Sequence, residues 1–291
     1  MENYSVLMSV YYKEKADYLR ESIQSMLEQT VPPDDFVLVC DGPLNEELDE
    51  VIADYERRFP CVFQIVRLDT NMGLGNALNI GIRYCKNELI ARMDSDDISL
   101  PGRCESQLTQ FEEDPSLDIM SGTLLEFDQD VSHITVAKYL PETNTNIHVY
   151  ARKRCPFNHP AVMYKKSAVI KAGGYVDFPL FEDYHLWIRM LHQGAKAFNI
   201  HEPILLMRAG RSMYQRRGGL NYIKKLYRFR RYMLKIGFCS VSDYIISVSV
   251  QIFFSLLPIR QREMFYSKFL RNQYNRSKSR LDVTYQKGNR K

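Results

Sequence analysis

Short apolar runs alternate with amphipathic segments over the first hundred residues of the chain. Runs rich in β-branched and aromatic residues predict buried strands, and apolar residues spaced three or four apart predict helices. The predicted strands are 4–10, 36–40, 62–68 and 89–93, and the predicted helices between them are about 17–27, 46–59 and 77–84. This alternation predicts a doubly wound, mostly parallel sheet of the Rossmann-like α/β class.

The pattern is less regular after residue 100. It predicts helices over about 101–113, 166–172 and 181–192, a strand over 119–127 and an extended segment over 158–164. The polar stretch 128–146 is predicted to be a loop. Two further helices are predicted over 220–236 and 244–257.

Three carboxylates, Asp94, Asp96 and Asp97, follow the fourth predicted strand directly. Open α/β sheets bind ligands at the carboxyl ends of their strands, so these acids are predicted to lie where a ligand would bind. Buried acids this close repel one another, and a divalent cation offsets that repulsion. Oxygen ligands suit Mg²⁺ or Mn²⁺, which indicates a metal–diphosphate site. A solvated acidic turn has the same residue types, so both interpretations stay open on this motif alone.

Other polar residues are predicted to reach the same edge of the sheet. Tyr11, Asp41 and Asn71 each follow one of the first three strands, so a nucleotide could lie along them. A second acidic pair, Glu182 and Asp183, opens the helix predicted over 181–192. Acids at a helix start are stabilised by the helix dipole, so this pair has either a structural or a catalytic role.

Composition is that of a folded protein, with 45% hydrophobic and 25% charged residues. The six cysteines form no CxxC pair, and most lie in apolar runs, which favours buried free thiols in a reducing compartment. The first residues lack the pattern of a signal peptide. No uninterrupted run of about 18 apolar residues predicts a membrane span. These features favour a cytoplasmic location.

Charge is distributed unevenly along the chain. Residues 208–291 carry 20 Lys or Arg against three acids, whereas residues 1–207 carry 19 against 32. We therefore predict a catalytic domain over 1–210 and a basic, helical C-terminal region over 211–291. A basic helix beside an apolar one is typical of peripheral contact with an anionic membrane. The alternative is a C-terminal helix packed on the core with a solvated basic neighbour.

The motifs resemble those of family-2 glycosyltransferases of GT-A fold, of the type that builds bacterial surface polysaccharides. In chain order they are SVYYKE, MLEQT, CDG, NMGLGNALNIGI, ARMDSDD, NHPAVMY, GGY and FEDYHLWIRM, and the resemblance covers about residues 4–220. The later RRGG loop and the basic, apolar C-terminal region are similar to one branch of that family.

The resemblance implies transfer of a sugar from a nucleotide diphosphate, with UDP expected, to a saccharide acceptor that is often lipid-linked. It implies Mn²⁺ or Mg²⁺ as cofactor, held by Asp96 and Asp97. Asp183 would be the catalytic base with Glu182 beside it, and Trp187 would line the acceptor side or pack beneath it. The residues implied on the nucleotide side are Val10, Tyr11, Glu14, Asp41, Asn71, Gly75, Asp94, Asp96, Arg216 and Arg217.

Two positions depart from the family pattern. Tyr12 stands where the family commonly has Asn, and no clear late histidine is available as a metal ligand. His201 precedes the expected region, and a structural role is favoured for it. Phosphates and water would then complete the coordination of the metal.

The chemistry predicts inversion at the sugar. A single displacement with one carboxylate base inverts the anomeric centre, and no strong candidate is present for the nucleophile of a retaining double displacement. One alternative is a nucleotidyltransferase, which would carry a Gly-rich, Arg-containing loop where this chain has VYYKEK. Another is a non-catalytic protein whose basic tail binds a membrane or a nucleic acid, although the acidic body argues against a long nucleic-acid track.

Overall fold

The computed structural model describes residues 2–128, 130–209, 219–257, 261 and 272–273, which form a mixed α/β fold. The strands are β1 (Tyr4–Val10), β2 (Asp35–Cys40), β3 (Phe63–Arg67), β4 (Leu89–Asp94), β5 (Ile98–Ser99), β6 (Leu117–Phe127), β7 (Ile134–Lys138), β8 (Met163–Lys165), β9 (Lys196–Arg208) and β10 (Asn272–Gln273). The helices are α1 (Ala16–Leu27), α2 (Glu46–Arg58), α3 (Leu74–Tyr84), α4 (Arg103–Glu113), α5 (Asn144–Ala151), α6 (Lys166–Lys171), α7 (Glu182–His192), α8 (Gly219–Lys235) and α9 (Val241–Leu256).

The first four strands form the parallel part of the sheet, in the order β4-β1-β2-β3. Side chains on β2 alternate between its two faces, as the period of a strand requires. Phe36 and Leu38 pack with α1, α2 and α4, whereas Val37 and Val39 pack with α3 and α7. Helices therefore cover both faces, and the predicted doubly wound arrangement is confirmed.

The second half of the sheet is mixed and corrects two predictions. Residues 128–146 are not one loop, since they contain β7 and the start of α5. Residues 158–164 are not extended throughout, because a 3₁₀ turn at His159–Ala161 precedes β8. The sequence pattern also gave no sign of β9, which runs parallel to β6 along its length. Its apolar pattern is broken by His201, Glu202 and Pro203, close to register shifts in the β6–β9 pairing.

Helix α8 packs on the same core as α7. Leu226, Phe229 and Met233 are fully buried there, and the ring of Phe229 contacts those of Phe181 and Tyr184. The opposite face of α8 is exposed and carries Lys224, Arg228, Arg231 and Lys235. The domain boundary is predicted near residue 210. It falls at residues 210–218, which lie outside the described residues.

Helix α9 buries several polar side chains and exposes several apolar ones. Its buried residues include Asp243, Ser247 and Ser255. Its exposed residues include Ile245, Ile246, Val250 and Phe253, and Phe253 is 58% exposed. This is the reverse of a helix that rests on a protein core with its other side in water. Among the helices that the structure describes, none is long and apolar enough to span a bilayer.

Candidate active site

The parallel register brings the ends of four strands to one edge of the sheet. Val10 pairs with Cys40, Ser9 pairs with Asp94, and Cys40 pairs with Arg67. Residues that directly follow these strands therefore start from the same edge. This is the edge at which the sequence predicts a nucleotide.

Asp41 holds the loop that follows β3. Its carboxylate accepts hydrogen bonds from the backbone N–H groups of Met72 at 2.7 Å and Gly73 at 3.0 Å. The Asn71 side-chain amide donates to the Asp41 carbonyl at 3.1 Å, and the Asp41 N–H donates to the Val10 carbonyl at 2.8 Å. Gly73 has a φ of 84°, which a residue with a side chain rarely adopts. Asp41 thus fixes the shape of the loop at residues 71–73.

The two exposed tyrosines after β1 flank this edge. The rings of Tyr11 and Tyr12 meet edge to face, with centroids 5.9 Å apart. Glu14, a few residues later, accepts a hydrogen bond from the Ser95 hydroxyl at 2.8 Å. The first loop therefore contacts the acidic loop through Glu14 and Ser95.

The three acids after β4 form a compact cluster. Asp94, Asp96 and Asp97 each offer a carboxylate oxygen, and these oxygens lie within 4.8 Å of one another. Burial, with added repulsion from Asp94 and Glu14, raises the pKa of Asp96 to about 7. Burial, with repulsion from Asp96 and Asp94, also raises the pKa of Asp97 well above its usual value.

This donor set fits a divalent cation. Asp97 is only 2% exposed, and its Oδ2 atom has no hydrogen-bond partner among the described residues. An unpartnered carboxylate oxygen beside two others is a poor arrangement without a cation and a good one with Mg²⁺ or Mn²⁺. The solvated-turn interpretation does not fit a buried Asp97.

Arg208, at the end of β9, was missed by the sequence analysis. Its backbone N–H donates to Asp97 Oδ1 at 2.9 Å, and its Nε donates to the Asp96 carbonyl at 3.1 Å. Its Nη2 donates to Glu21 at 2.7 Å, and the guanidinium lies 3.8 Å from the ring centroid of Tyr18. No local motif could have revealed this residue, because its strand was itself not predicted.

Glu182 and Asp183 form the first turn of α7. The Asp183 carboxylate accepts a hydrogen bond from the backbone N–H of Tyr184 at 2.6 Å, and the Cys155 thiol lies 3.8 Å from its Oδ2. Burial, with added repulsion from Asp183, raises the pKa of Glu182. Leu180, just before them, has a φ of 79°, a conformation that costs about 1–3 kcal/mol and is frequent at active sites.

Gly75, in the first turn of α3, packs against Tyr175 and the start of α7. A Cβ atom at this position would lie 3.3 Å from the Cβ of Tyr175 and 3.5 Å from the Cβ of Glu182. Asn79, one turn later on α3, donates to the Tyr175 carbonyl and accepts from the Tyr175 N–H, both at 2.7 Å. The segment 71–79 is therefore joined directly to the segment that leads into the second acidic pair.

Both acidic groups act on the same buried tyrosine. Burial raises the pKa of Tyr175, and the negative charges of Asp183 and Asp94 raise it further. The positive charge of Arg92, on β4, acts on Tyr175 and partly offsets the rise in the pKa of Glu182. Asp94 and Asp183, one from each acidic group, are therefore both close enough to Tyr175 for their charges to act on it.

Trp187 packs against Tyr175. It is fully buried, and its ring meets those of Phe157, His159 and Tyr175 edge to face. His159 Nε2 lies 2.9 Å from the Tyr175 hydroxyl. Trp187 is therefore a core residue and does not line an open surface of the protein.

The last predictions concern His201 and the pair Arg216 and Arg217. His201 is exposed, its Nδ1 is 3.2 Å from a Glu142 carboxylate oxygen, and its ring stacks on Tyr139. These contacts agree with a structural role. Arg216 and Arg217 fall within 210–218, outside the described residues.

Comparison with known proteins decides the family. Residues 5–173, more than half of the chain, match the sequence model of "Glycosyl transferase family 2". The chain belongs to glycosyl transferase family 2. This family 2 glycosyltransferase is 37% identical over 268 residues to the amylovoran biosynthesis glycosyltransferase AmsE of Erwinia amylovora, covering 91% of the chain and 98% of the relative.

A second relative has a defined reaction in its name. It is the Escherichia coli UDP-Gal:alpha-D-GlcNAc-diphosphoundecaprenol beta-1,3-galactosyltransferase, which is 36% identical over 268 residues, covering 92% of this glycosyltransferase and 96% of the relative. Among solved structures, the mannosyltransferase PcManGT of Pyrobaculum calidifontis, in complex with GDP-Man and Mn²⁺, superposes with a TM-score of 0.63. The match has 15% identity and covers 86% of this chain and 69% of the other. The fold is therefore GT-A, as the motifs predict.

Proposed function

We propose that this glycosyltransferase moves a sugar from a UDP-linked donor to a lipid-linked saccharide, with inversion, in the synthesis of a surface polysaccharide. The observation that carries the proposal is the compact cluster of Asp94, Asp96 and Asp97, in which Asp97 Oδ2 has no hydrogen-bond partner among the described residues. The acids that open α7 are proposed as the second group, because Asp183 and Asp94 act on the same buried tyrosine. The relatives support the UDP-linked donor, the lipid-linked acceptor and the role in polysaccharide synthesis. One relative acts in amylovoran biosynthesis, and another uses UDP-Gal and a diphosphoundecaprenol-linked acceptor.

On the donor side, Asp96 and Asp97 would hold Mn²⁺ or Mg²⁺, and Asp94 would complete the acidic cluster. A cation bound there would supply Lewis-acid stabilisation of the charge that develops on the leaving diphosphate. Asp41 would shape the loop against the nucleotide through its two backbone contacts. The burial of Asp97 keeps water from competing for its oxygens.

On the acceptor side, Asp183 would take the proton from the attacking hydroxyl. The Tyr184 N–H holds one of its carboxylate oxygens and thereby fixes its orientation at the start of α7. The N-terminal end of a helix attracts negative charge, which suits a carboxylate that acts as a general base. One base and one displacement give an inverted product.

Attachment to a membrane surface is part of the proposal. Helix α8 presents exposed Lys and Arg side chains, and α9 beside it presents exposed Ile, Val and Phe. A basic surface is attracted to anionic lipid by about 1 kcal/mol per residue, and exposed apolar side chains lie favourably among the headgroups. This combination would hold the enzyme near a lipid-linked acceptor.

A thermal-shift and hydrolysis screen tests the donor assignment. The full chain is mixed with UDP-, GDP-, dTDP- and CMP-sugars, each with Mn²⁺ and with EDTA. We expect a rise in Tm of several degrees for UDP-sugars with Mn²⁺, since a ligand at about 100 times its Kd stabilises by about 2.7 kcal/mol. A rise only with another nucleotide would overturn the UDP assignment, and no rise with any nucleotide would overturn the donor site.

A further inference from the structure

Arg92 is a charged residue in the middle of a buried strand. It lies on β4, two positions before the acidic cluster, and is 1% exposed. Its Nη2 forms an ion pair with Asp94 Oδ1. Its carbonyl accepts a hydrogen bond from Arg103 Nη2 at 2.7 Å, so the backbone at this point is also held.

The rest of the Arg92 guanidinium is unpaired. Its Nε and Nη1 atoms have no hydrogen-bond partner among the described residues, and the same is true of Glu182 Oε2. A buried guanidinium with one partner is costly, and an apolar side chain would fill a strand interior more favourably. The negative charges of Asp94 and Asp97 offset that cost, so the neighbouring acids give the reason for an arginine here.

We propose that Arg92 is a positioning residue of the donor site, which acts by holding the carboxylate of Asp94 toward the other two acids. This inference rests on the proposed function, because it assigns a task within that donor site. With one oxygen of Asp94 paired to Arg92, the side chain cannot turn away from the cluster. The arginine also leaves three ionised carboxylates with a net charge of −2, which matches a divalent cation.

A double-mutant cycle tests this assignment. The variants are Arg92→Met, Asp94→Asn and the double variant, and the measurement is the Kd for UDP in Mn²⁺ by calorimetry. Loss of a group that orients a metal ligand typically weakens binding by about 10–100-fold, and we expect this for Arg92→Met. The double variant should bind UDP as tightly as the single variant with the lower affinity, because Arg92 acts through Asp94. If the loss of UDP affinity in the double variant equals the product of the losses in the two single variants, the proposal is overturned.

Two further variants keep the test valid if Arg92→Met does not fold. Arg92→Lys retains the charge without the planar fork, and Arg92→Gln retains hydrogen bonding without the charge. We expect both to bind UDP with Mn²⁺ more weakly than wild type, with Arg92→Lys the closer to it. Wild-type Kd values in both would overturn the role of Arg92. If wild type itself binds no UDP, the proposed function fails instead.

Discussion

The carboxylate of Asp97 accepts a hydrogen bond of 2.9 Å from the backbone N–H of Arg208, 111 residues further along the chain. The Arg208 side chain continues this contact, since its Nε reaches the carbonyl of Asp96 at 3.1 Å and its Nη2 reaches Glu21 at 2.7 Å. One residue at the end of β9 therefore ties the acidic loop to α1. The proposed donor site therefore depends on β9, which comes more than a hundred residues after the acidic loop in the chain.

Replacing Arg208 by Met should weaken the donor site more than the fold. The backbone contact to Asp97 remains possible, but the side-chain contacts to Asp96 and Glu21 are lost, so the acidic loop is held less firmly. We expect the Kd for UDP in Mn²⁺ to rise by about tenfold, as for loss of other groups around a metal site.

Calorimetry on Arg208→Met and on Arg57→Met provides the comparison. Arg57 is a surface arginine whose ion pair with Asp54 lies within one helix, so its loss should leave the UDP affinity unchanged. Equal affinities in the two variants would show that the Arg208 side chain has no role in the donor site.

Asp183→Asn should abolish transfer and leave nucleotide binding intact. The amide keeps the shape of the carboxylate but cannot accept the proton of the acceptor hydroxyl, and loss of a general base lowers kcat by about 10²–10⁴-fold. The measurements are sugar transfer to acceptor and the Kd for UDP with Mn²⁺.

Glu182→Gln is the neighbouring control for that variant. Glu182 Oε2 is buried and Asp183 is the proposed base, so we expect a smaller fall in kcat for Glu182→Gln than for Asp183→Asn. If Glu182→Gln were the more damaging of the two, the general base would have to be reassigned to Glu182. Near-normal turnover by both variants would remove α7 from the chemistry.

The sequence predicts the parallel half of the sheet well because its signals are local. Each strand from β1 to β4 is a short apolar run between helical segments, and the acids of the cluster are adjacent in the chain. The residues that hold the cluster are different. Arg208 comes from a strand whose pattern is broken by Pro203, and the task of Arg92 depends on what surrounds β4 in space. Such long-range contacts leave no periodic trace in one sequence.

The C-terminal region shows the same limit. Apolar and basic residues can be counted in the sequence, but the direction that each face takes depends on packing. Helix α8 buries Phe229 against α7, so part of the predicted membrane-contact region is core. Helix α9 places Ser247 inside and Ile246 outside, which no rule of helical amphipathicity predicts for a helix in water.

The stability of the cation-free protein should fall as pH rises through neutrality. The pKa of Asp96 is raised from 3.8 to about 7 in the folded chain. Its contribution to stability is therefore fully present below pH 3.8 and is lost as pH rises through about 7. Asp96→Asn has no proton to lose and should not show this loss.

Differential scanning fluorimetry in EDTA from pH 5 to 8 measures the effect. We expect the Tm of wild type to fall relative to that of Asp96→Asn as pH rises, and Mn²⁺ to raise the wild-type Tm more at pH 8 than at pH 6. A constant difference between the two proteins over this range would contradict the raised pKa of Asp96.

An acid on the outward face of α9 should release the enzyme from lipid without unfolding it. Ile246 is 51% exposed, so Ile246→Asp changes little in the core but places a charge where the apolar face would enter the headgroups. Losing about 2 kcal/mol of apolar burial should lower co-sedimentation with phosphatidylglycerol vesicles by more than tenfold. Val149→Asp, at an exposed position of α5, makes the same kind of change elsewhere and should have no effect. If wild type stays in the supernatant, membrane attachment is refuted. If Ile246→Asp has a smaller particle mass in solution than wild type, α9 joins copies of the chain instead.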